Sequence, residues 1–130
     1  PYRALNIQDF WRRWHISLSS WIMDYIYIPL GGSRHGMFRK TINQLLAMAL
    51  CGLWHGANWN FVLWGLYHGF GLVVHSFYRK MVPAPERPGF FLRAGAMIFT
   101  LIFVGYGWIL FFYPIKEVVV LTKALFGLGE

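Results

Sequence analysis

The sequence predicts an all-α fold: a fragment of a polytopic membrane protein with an interfacial amphipathic helix, a two-helix membrane hairpin and a further transmembrane helix. Apolar residues make up 57% of the chain and charged residues only 13%, whereas a soluble domain averages about 25% charged residues. Aromatic residues reach 20%, which is typical of proteins whose rings lie at a membrane–water boundary. Two long stretches, 41–78 and 94–115, contain no Asp, Glu, Lys or Arg.

The first element is predicted as one amphipathic helix over residues 7–23. Asn6 precedes it and can cap its free N–H groups. A helix with four aromatics on its apolar side is expected to lie in the membrane interface or to line an internal wall. His15 is expected on that apolar side, whose members are Ile7, Phe10, Trp11, Trp14, Leu18, Trp21 and Ile22.

A turn and a basic loop follow this helix. Pro29 ends regular structure, and Gly31 with Gly32 permits a tight turn. The net charge of +7 could suggest nucleic acid as a partner. The basic residues, however, are scattered at the ends of segments, which favours positive cytoplasmic loops over one nucleic-acid patch.

Residues 41–78 are predicted to form a hairpin of two helices, about 41–53 and 59–77, with a polar break (WHGANWN, Trp54 to Asn60) between them. Both ends of the stretch are basic, so both are expected to face the cytoplasm. At a rise of about 1.5 Å per residue, His55 would lie roughly 20 Å from Lys40. Irregular backbone at that depth must be buried in protein or line a cavity, which places His55 beside a pocket or channel.

A proline-rich loop, VPAPERPG, precedes the last predicted span over residues 94–115. Cys51, the single cysteine, lies in an apolar run and is expected to be an inert buried thiol. The chain opens at Pro1 on a segment without signal-peptide features. We therefore expect a piece of a longer polytopic protein.

Five histidines are the candidate chemical groups. His35 is expected to be solvated, and His68 and His75, which share a helix face, to hydrogen-bond to neighbouring helices. His55 is favoured as functional, because an ionisable group at membrane depth is a functional candidate and a desolvated imidazole favours the neutral form of a general base. His15, from the residues alone, is more simply a packing residue.

Other reaction classes lack their sequence signals. The chain contains no GxSxG elbow, no phosphate-binding loop and no zinc-ligand spacing such as HExxH. The carboxylates are too few for paired acid–base catalysis; they are Asp9, Asp24, Glu86, Glu117 and Glu130. No bound cofactor or metal is therefore expected.

Two motifs carry a family resemblance. DFWRRWHISLSSWIMDYIYIPLGGSR (Asp9 to Arg34) and GLWHGANWNFVLWGLYHG (Gly52 to Gly69) closely resemble the membrane-bound O-acyltransferase (MBOAT) family, nearest to its alginate O-acetyltransferase subunit I branch. The likeness is strong over residues 1–80 and weak over 94–128. It implies that residues 1–130 are part of a single MBOAT transmembrane domain, from the C-terminal half of such a protein.

The resemblance also implies a reaction and its residues. His55 matches the histidine taken as catalytic in the family and would be the general base, while His15 would orient or polarise a reactant. An acyl group, acetyl in this branch, would pass from a cytoplasmic donor (acetyl-CoA or carrier-bound acetyl) to hydroxyls of an extracytoplasmic polysaccharide such as alginate. The implied setting is the bacterial inner membrane, with the lipid bilayer, a polysaccharide and extracytoplasmic acetyltransferase subunits as partners.

Two alternatives stay open at this point. Met23 and Phe112 stand where the family usually has arginine, which keeps a non-catalytic membrane scaffold of a polysaccharide-modification complex in view. The histidines of the hairpin could instead be axial ligands of haem in a membrane electron carrier. A Soret band in the purified protein would support that reading.

Overall fold

The structure, a computed structural model, describes residues 1–83 and 85–128; Ala84 of the proline-rich loop and the carboxylate Glu130 lie outside them. The described residues form helices and connecting turns, so the predicted all-α fold class is confirmed. In chain order the helices are α1 (Ile7–Arg13), α2 (Ile16–Ile22), a π-helical segment (Met23–Tyr27), α3 (Gly36–Trp54), α4 (Trp59–Met81), α5 (Phe90–Phe112) and α6 (Ile115–Leu125).

The prediction of one continuous helix over residues 7–23 is wrong, because the chain breaks between α1 and α2. Trp14 has an extended backbone (φ −110°, ψ 133°), and His15 lies in the left-handed region (φ 49°, ψ 50°). The predicted cap is present, since the Asn6 side chain accepts a hydrogen bond from the Asp9 N–H at 2.8 Å. Most of the predicted apolar face is buried, but Trp21 is exposed.

The turn after the π-helical segment is fixed to α3 by a buried amide. Gly31 and Gly32 have φ of 99° and 55°, which supports the predicted tight turn because glycine adopts positive φ without strain. Asn43 of α3 donates hydrogen bonds from Nδ2 to the carbonyl oxygens of Leu30 and Gly32, at 3.0 and 2.9 Å. These bonds hold the end of the N-terminal segment against the first half of α3.

Helices α3 and α4 pack against each other as an antiparallel pair, at glycine contacts. A Cβ added to Gly52 would overlap the carbonyl oxygen of Phe61, and one added to Gly65 would overlap that of Met48. Small residues at a helix–helix contact allow the backbones to approach closely. The two helices predicted within residues 41–78 are both present, and each is longer than its predicted bounds. Trp64 and His68 of α4 are fully buried behind this contact.

Helix α5 covers the second face of α4. It is the described helix whose length and composition suit a membrane span, with a mean hydropathy of 2.0 over its best window. Its observed range starts four residues before and ends three residues before the predicted 94–115. Tyr67 stacks on Phe103 at 4.4 Å and donates a hydrogen bond to the Phe103 carbonyl at 2.9 Å. The other described helices do not pass the same length-and-hydropathy test.

Candidate active site

The structure brings His15 and His55 together, although the two residues come from different elements. Their ring centroids lie 6.5 Å apart, with the planes at 73°. His15 occupies the break between α1 and α2, and His55 is the first residue after α3. The α3 end is followed by Gly56 at φ 157°, and the Phe61 ring lies where a Cβ of Gly56 would be. The break predicted at WHGANWN therefore turns the chain directly beside the imidazole.

His55 lies among aromatic rings from three helices. Its ring centroid is 5.1 Å from Trp54, 5.3 Å from Trp64 and 5.2 Å from Phe111. Its Nε2 atom is buried and has no hydrogen-bond partner among the described residues. Buried polar atoms are rarely left without a partner, so the Nε2 atom of His55 retains unused hydrogen-bonding capacity. The prediction that His55 lies beside a pocket stays a prediction, because His55 is not among the residues that line the described cavities.

His15 reaches His55 through a strained backbone. A left-handed conformation of a residue other than glycine costs on the order of 1–3 kcal/mol and persists where the surrounding structure imposes it. Here the His15 carbonyl accepts the first hydrogen bond of α2, from the Ser19 N–H at 2.9 Å. The ring meets Trp14 at 5.8 Å and Trp54 at 5.9 Å, edge to face, and the residue is otherwise exposed. The strained backbone of His15 therefore coincides with the approach of one imidazole to the other.

Aromatic rings fix the relative positions of the two histidines. Trp14 contacts His15 on one side and Trp64, at 6.2 Å, on the other. Trp64 in turn contacts His55, which closes a circuit of four rings: His15, Trp14, Trp64 and His55. Edge-to-face aromatic pairs each contribute about 0.5–1.5 kcal/mol beyond the area they bury. The circuit joins α1, α2, α3 and α4 around the candidate site.

His68 lies behind this circuit and does not behave as predicted. It is fully buried, and neither ring nitrogen has a hydrogen-bond partner in the described part of the chain, so the predicted hydrogen bond to a neighbouring helix is wrong. The reason is that aromatic rings surround the imidazole, with Trp11 at 5.3 Å and Phe103 at 5.9 Å, both at 89°. An N–H aimed at a ring face is a weak hydrogen bond. His68 is a packing residue, His75 is half-buried, and His35 is exposed as predicted.

A cleft of about 550 Å³ runs along the face of α3 that points toward the N-terminal helices. On α3 it is lined by Lys40, Gln44, Met48 and Cys51, which recur at helical spacing and share one face. Cys51 is buried, as predicted, and stands one helical turn before His55. On α3 the cleft therefore extends from Lys40 to Cys51, and neither His15 nor His55 is among the described residues that line it.

The lining of this cleft is mixed in character. Apolar side chains form much of the wall, while Arg12, Lys40 and Asp24 contribute charges and Met23 lies among them. The Oε1 atom of Gln44 is buried and has no partner among residues 1–83 and 85–128. Analysis of the sequence missed this cleft, although the recurrence of polar and apolar residues every three or four positions along α3 is the signal that could have revealed it.

Comparison with known proteins gives a consistent result. The model of the MBOAT, membrane-bound O-acyltransferase family, matches residues 1–115. The chain is 46% identical to the probable alginate O-acetylase AlgI of Azotobacter vinelandii over 85% of its own length and 21% of that protein. It is 42% identical to the peptidoglycan O-acetyltransferase of Helicobacter pylori, over 98% of the chain and 24% of the relative.

A more distant similarity extends to a different acyl group. The teichoic acid D-alanyltransferase of Bacillus subtilis is 33% identical over 62% of the chain and 22% of the relative's length. The chain thus spans about a fifth to a quarter of the curated relatives it matches. Both motifs, with His15 and His55, fall within the residues that the family model matches.

Proposed function

The chain belongs to the membrane-bound O-acyltransferase family, and from that membership we propose that it is part of an enzyme that transfers an acyl group to hydroxyls of an extracytoplasmic polysaccharide. The observation that carries the proposal is the approach of His15 and His55, whose ring centroids lie 6.5 Å apart. A hydrogen bond joins heavy atoms about 2.7–3.2 Å apart. The acceptor hydroxyl and the carbonyl oxygen of the acyl group can therefore lie between the rings, each within hydrogen-bond reach of one imidazole.

His55 is the general base in this proposal. Its unpartnered Nε2 atom accepts the proton of the acceptor hydroxyl as the oxygen attacks the carbonyl carbon of an acyl thioester. The carbon–sulfur bond then breaks, and the departing thiolate takes up the proton that His55 holds. His15 donates a hydrogen bond to the carbonyl oxygen, whose negative charge grows during the attack. The products are an ester and a thiol, with no net gain or loss of protons.

The same arrangement supports a membrane topology. Helices α3 and α4 contain 19 and 23 residues, which correspond to about 28 and 34 Å at 1.5 Å per residue. Lys40 lies near the start of α3, and Arg79 and Lys80 lie in the last turn of α4. We therefore place both of these helix ends on the cytoplasmic side of the bacterial inner membrane. With α5 as a further span, the protein is multi-pass and the histidines lie near the far end of the pair.

The cleft along α3 supports a cytoplasmic entry for the donor. It leads from Lys40 to Cys51, one turn from His55, and its apolar wall can hold an acyl thioester arm. Lys40 and Arg12 supply positive charge for a phosphorylated donor such as acetyl-CoA or a carrier-bound acetyl group. Met23 lies in this lining, so the side chain that replaces the family's usual arginine would face the donor.

The acceptor is proposed from the relatives. Two of them are named for O-acetylation of alginate and of peptidoglycan, so acetyl is the proposed acyl group and a polysaccharide such as alginate the proposed acceptor. Extracytoplasmic acetyltransferase subunits are proposed as partners in handing the group to the polymer. A non-catalytic scaffold would need no paired histidines, and the ring circuit around His15 and His55 therefore favours the enzyme.

The experiment is replacement of His55 by Ala in the full-length protein, followed by measurement of O-acetyl groups on the secreted polymer. Loss of a general base typically lowers the rate by 10²–10⁴-fold, so acetylation should fall below detection. His35→Ala is the matched control, because His35 is exposed in the basic turn and should leave acetylation unchanged. Wild-type acetylation in the His55 variant would contradict the proposal. A purified full-length protein that shows no acyl transfer would also contradict it and would favour a non-catalytic scaffold.

A further inference from the structure

Trp54 occupies a position between the two histidines that the proposed reaction does not use. Its ring centroid lies 5.1 Å from His55 and 5.9 Å from His15, at interplanar angles of 80° and 89°. It is the last residue of α3. The indole is therefore one element of the wall that borders the space between the imidazoles.

Most of this side chain is nevertheless open. Trp54 is 60% exposed, whereas Trp64, the other indole against His55, is 1% exposed. Trp64 fills the inner side of the site, and Trp54 stands at its outer side, away from the basic start of α3. An acceptor that approaches the histidines from the end of the hairpin would meet the Trp54 ring at their outer side.

The surroundings restrict the chemistry by which this face can recognise an acceptor. Residues 41–78 contain no Asp, Glu, Lys or Arg, so the hairpin offers no charge at its tip. The two side-chain amides at the tip are already used within the fold: Asn58 accepts a hydrogen bond from the Asn60 N–H, and Asn60 donates to the Tyr113 carbonyl. The Trp54 indole is therefore a flat, uncharged surface that is open beside the histidines.

We propose that Trp54 is a binding residue for the acceptor: its indole stacks against one face of a pyranose ring and so positions a sugar hydroxyl between His15 and His55. The axial C–H groups of a pyranose ring lie on its faces, and its equatorial hydroxyls project from its edge. Stacking the face on the indole therefore buries apolar surface and directs a hydroxyl sideways. This inference rests on the proposed function, and it names the part of the acceptor that the site recognises.

The chain supplies a matched control in Trp59. It begins α4 at the same hairpin tip and is 73% exposed, more than Trp54. Unlike Trp54, it has no ring contact with either histidine in the portion of the chain that is described. If exposed indoles at this tip serve only to anchor the protein in the membrane interface, the two residues should be equivalent.

The test uses the purified full-length protein with acetyl-CoA or an acetylated carrier as donor and the de-O-acetylated polymer of the source bacterium as acceptor. Trp54→Ala should raise the KM for the acceptor about tenfold, a change of 1.4 kcal/mol in binding, while the KM for the donor stays near the wild-type value. Trp54→Phe should keep most of the affinity, because it retains a flat ring. Trp59→Ala should match the wild type.

Trp54→Leu is a second variant for the case in which Trp54→Ala does not fold. Leucine restores apolar volume without a flat face, so Trp54→Leu should show the same rise in the KM for the acceptor. A wild-type KM for the acceptor in Trp54→Ala and Trp54→Leu would overturn the proposal. Equal effects of Trp54→Ala and Trp59→Ala would overturn it as well. His55→Ala run in parallel separates the two claims. If His55→Ala transfers normally while Trp54→Ala still raises the KM, the base assignment fails and the acceptor contact stands.

Discussion

Replacement of Gly65 by Ala tests whether the packing of α3 against α4 sets the geometry of the histidines. The added Cβ would overlap the Met48 carbonyl oxygen and lie 3.2 Å from the Gly52 nitrogen. These atoms belong to the backbone, so no side chain can rotate away, and the helices must separate. Since non-bonded atoms prefer about 3.5–4.0 Å, the separation is on the order of 1 Å.

That displacement has a cost in stability and a cost in rate. Overpacking of a tight contact costs about 1–3 kcal/mol. Trp64 is the residue before Gly65 and lies 5.3 Å from His55, so moving α4 moves one wall of the site. A misplacement of about 1 Å can lower the rate of an enzyme about 10²-fold. We expect the Gly65 variant to be folded but to have about one hundredth of wild-type transfer.

The assay is thermal unfolding of the detergent-solubilised full-length protein together with polymer acetylation in cells. Gly105→Ala is the matched control, because it places the same methyl group on α5 with no atom of residues 1–83 or 85–128 within 4 Å. Alanine is a better helix former than glycine by about 1 kcal/mol, so this control should be as stable as the wild type or more stable. A Gly65 variant with wild-type stability and activity would refute the reasoning.

Two further substitutions test separate parts of the structure. His15→Gly and His15→Ala should both lower acyl transfer strongly. The glycine variant should be more stable than the alanine variant by about 1 kcal/mol, because glycine adopts the left-handed conformation without strain. Equal melting temperatures of the two variants would contradict a strained backbone at His15. Asn43→Ala should lower the free energy of unfolding by about 1–3 kcal/mol, because it leaves buried carbonyls of the glycine turn unpaired. Thermal unfolding checks the loss, and an unchanged melting temperature would argue against the turn contact.

The break at His15 could not be predicted from the pattern of residues. Apolar positions from Ile7 to Ile22 recur at helical spacing across the break, and no glycine or proline interrupts them. What separates α1 from α2 is tertiary packing: Trp14 contacts Trp64, and His15 contacts His55 and Trp54. Contacts with residues 40 positions away can override local helix preference, and a single sequence does not reveal them.

The position of His55 was easier to predict, because its signals are local. A polar, glycine-containing break between two uncharged stretches that are flanked by basic residues indicates a turn at depth, and the structure has a turn at that point. Its pairing with His15 was different. The residues alone favoured a packing role for His15, and only the family resemblance suggested a partner for His55. The ring geometry now gives that pairing a physical basis.

The surroundings of His68 show a second limit of the sequence pattern. A histidine on an uncharged helix suggests a hydrogen bond to a neighbour, since buried polar groups are usually paired. Which neighbours face it depends on how α1, α4 and α5 assemble, and they present the rings of Trp11, Trp64 and Phe103. The cleft along α3 was missed for a related reason, because its opposite wall is built by α1, α2 and the π-helical segment.

The most direct test of the central claim is a double-mutant measurement of acyl transfer with the purified full-length protein. His55→Ala, His15→Ala and the combined variant would be compared under single-turnover conditions with saturating donor. If both imidazoles act in the same step, His55 on the hydroxyl and His15 on the carbonyl oxygen, His55→Ala lowers the rate by 10²–10⁴-fold and the added loss of His15 has little further effect, because residues that act as a unit are not additive. A His55 variant at the wild-type rate, or two losses that simply multiply, would contradict the account.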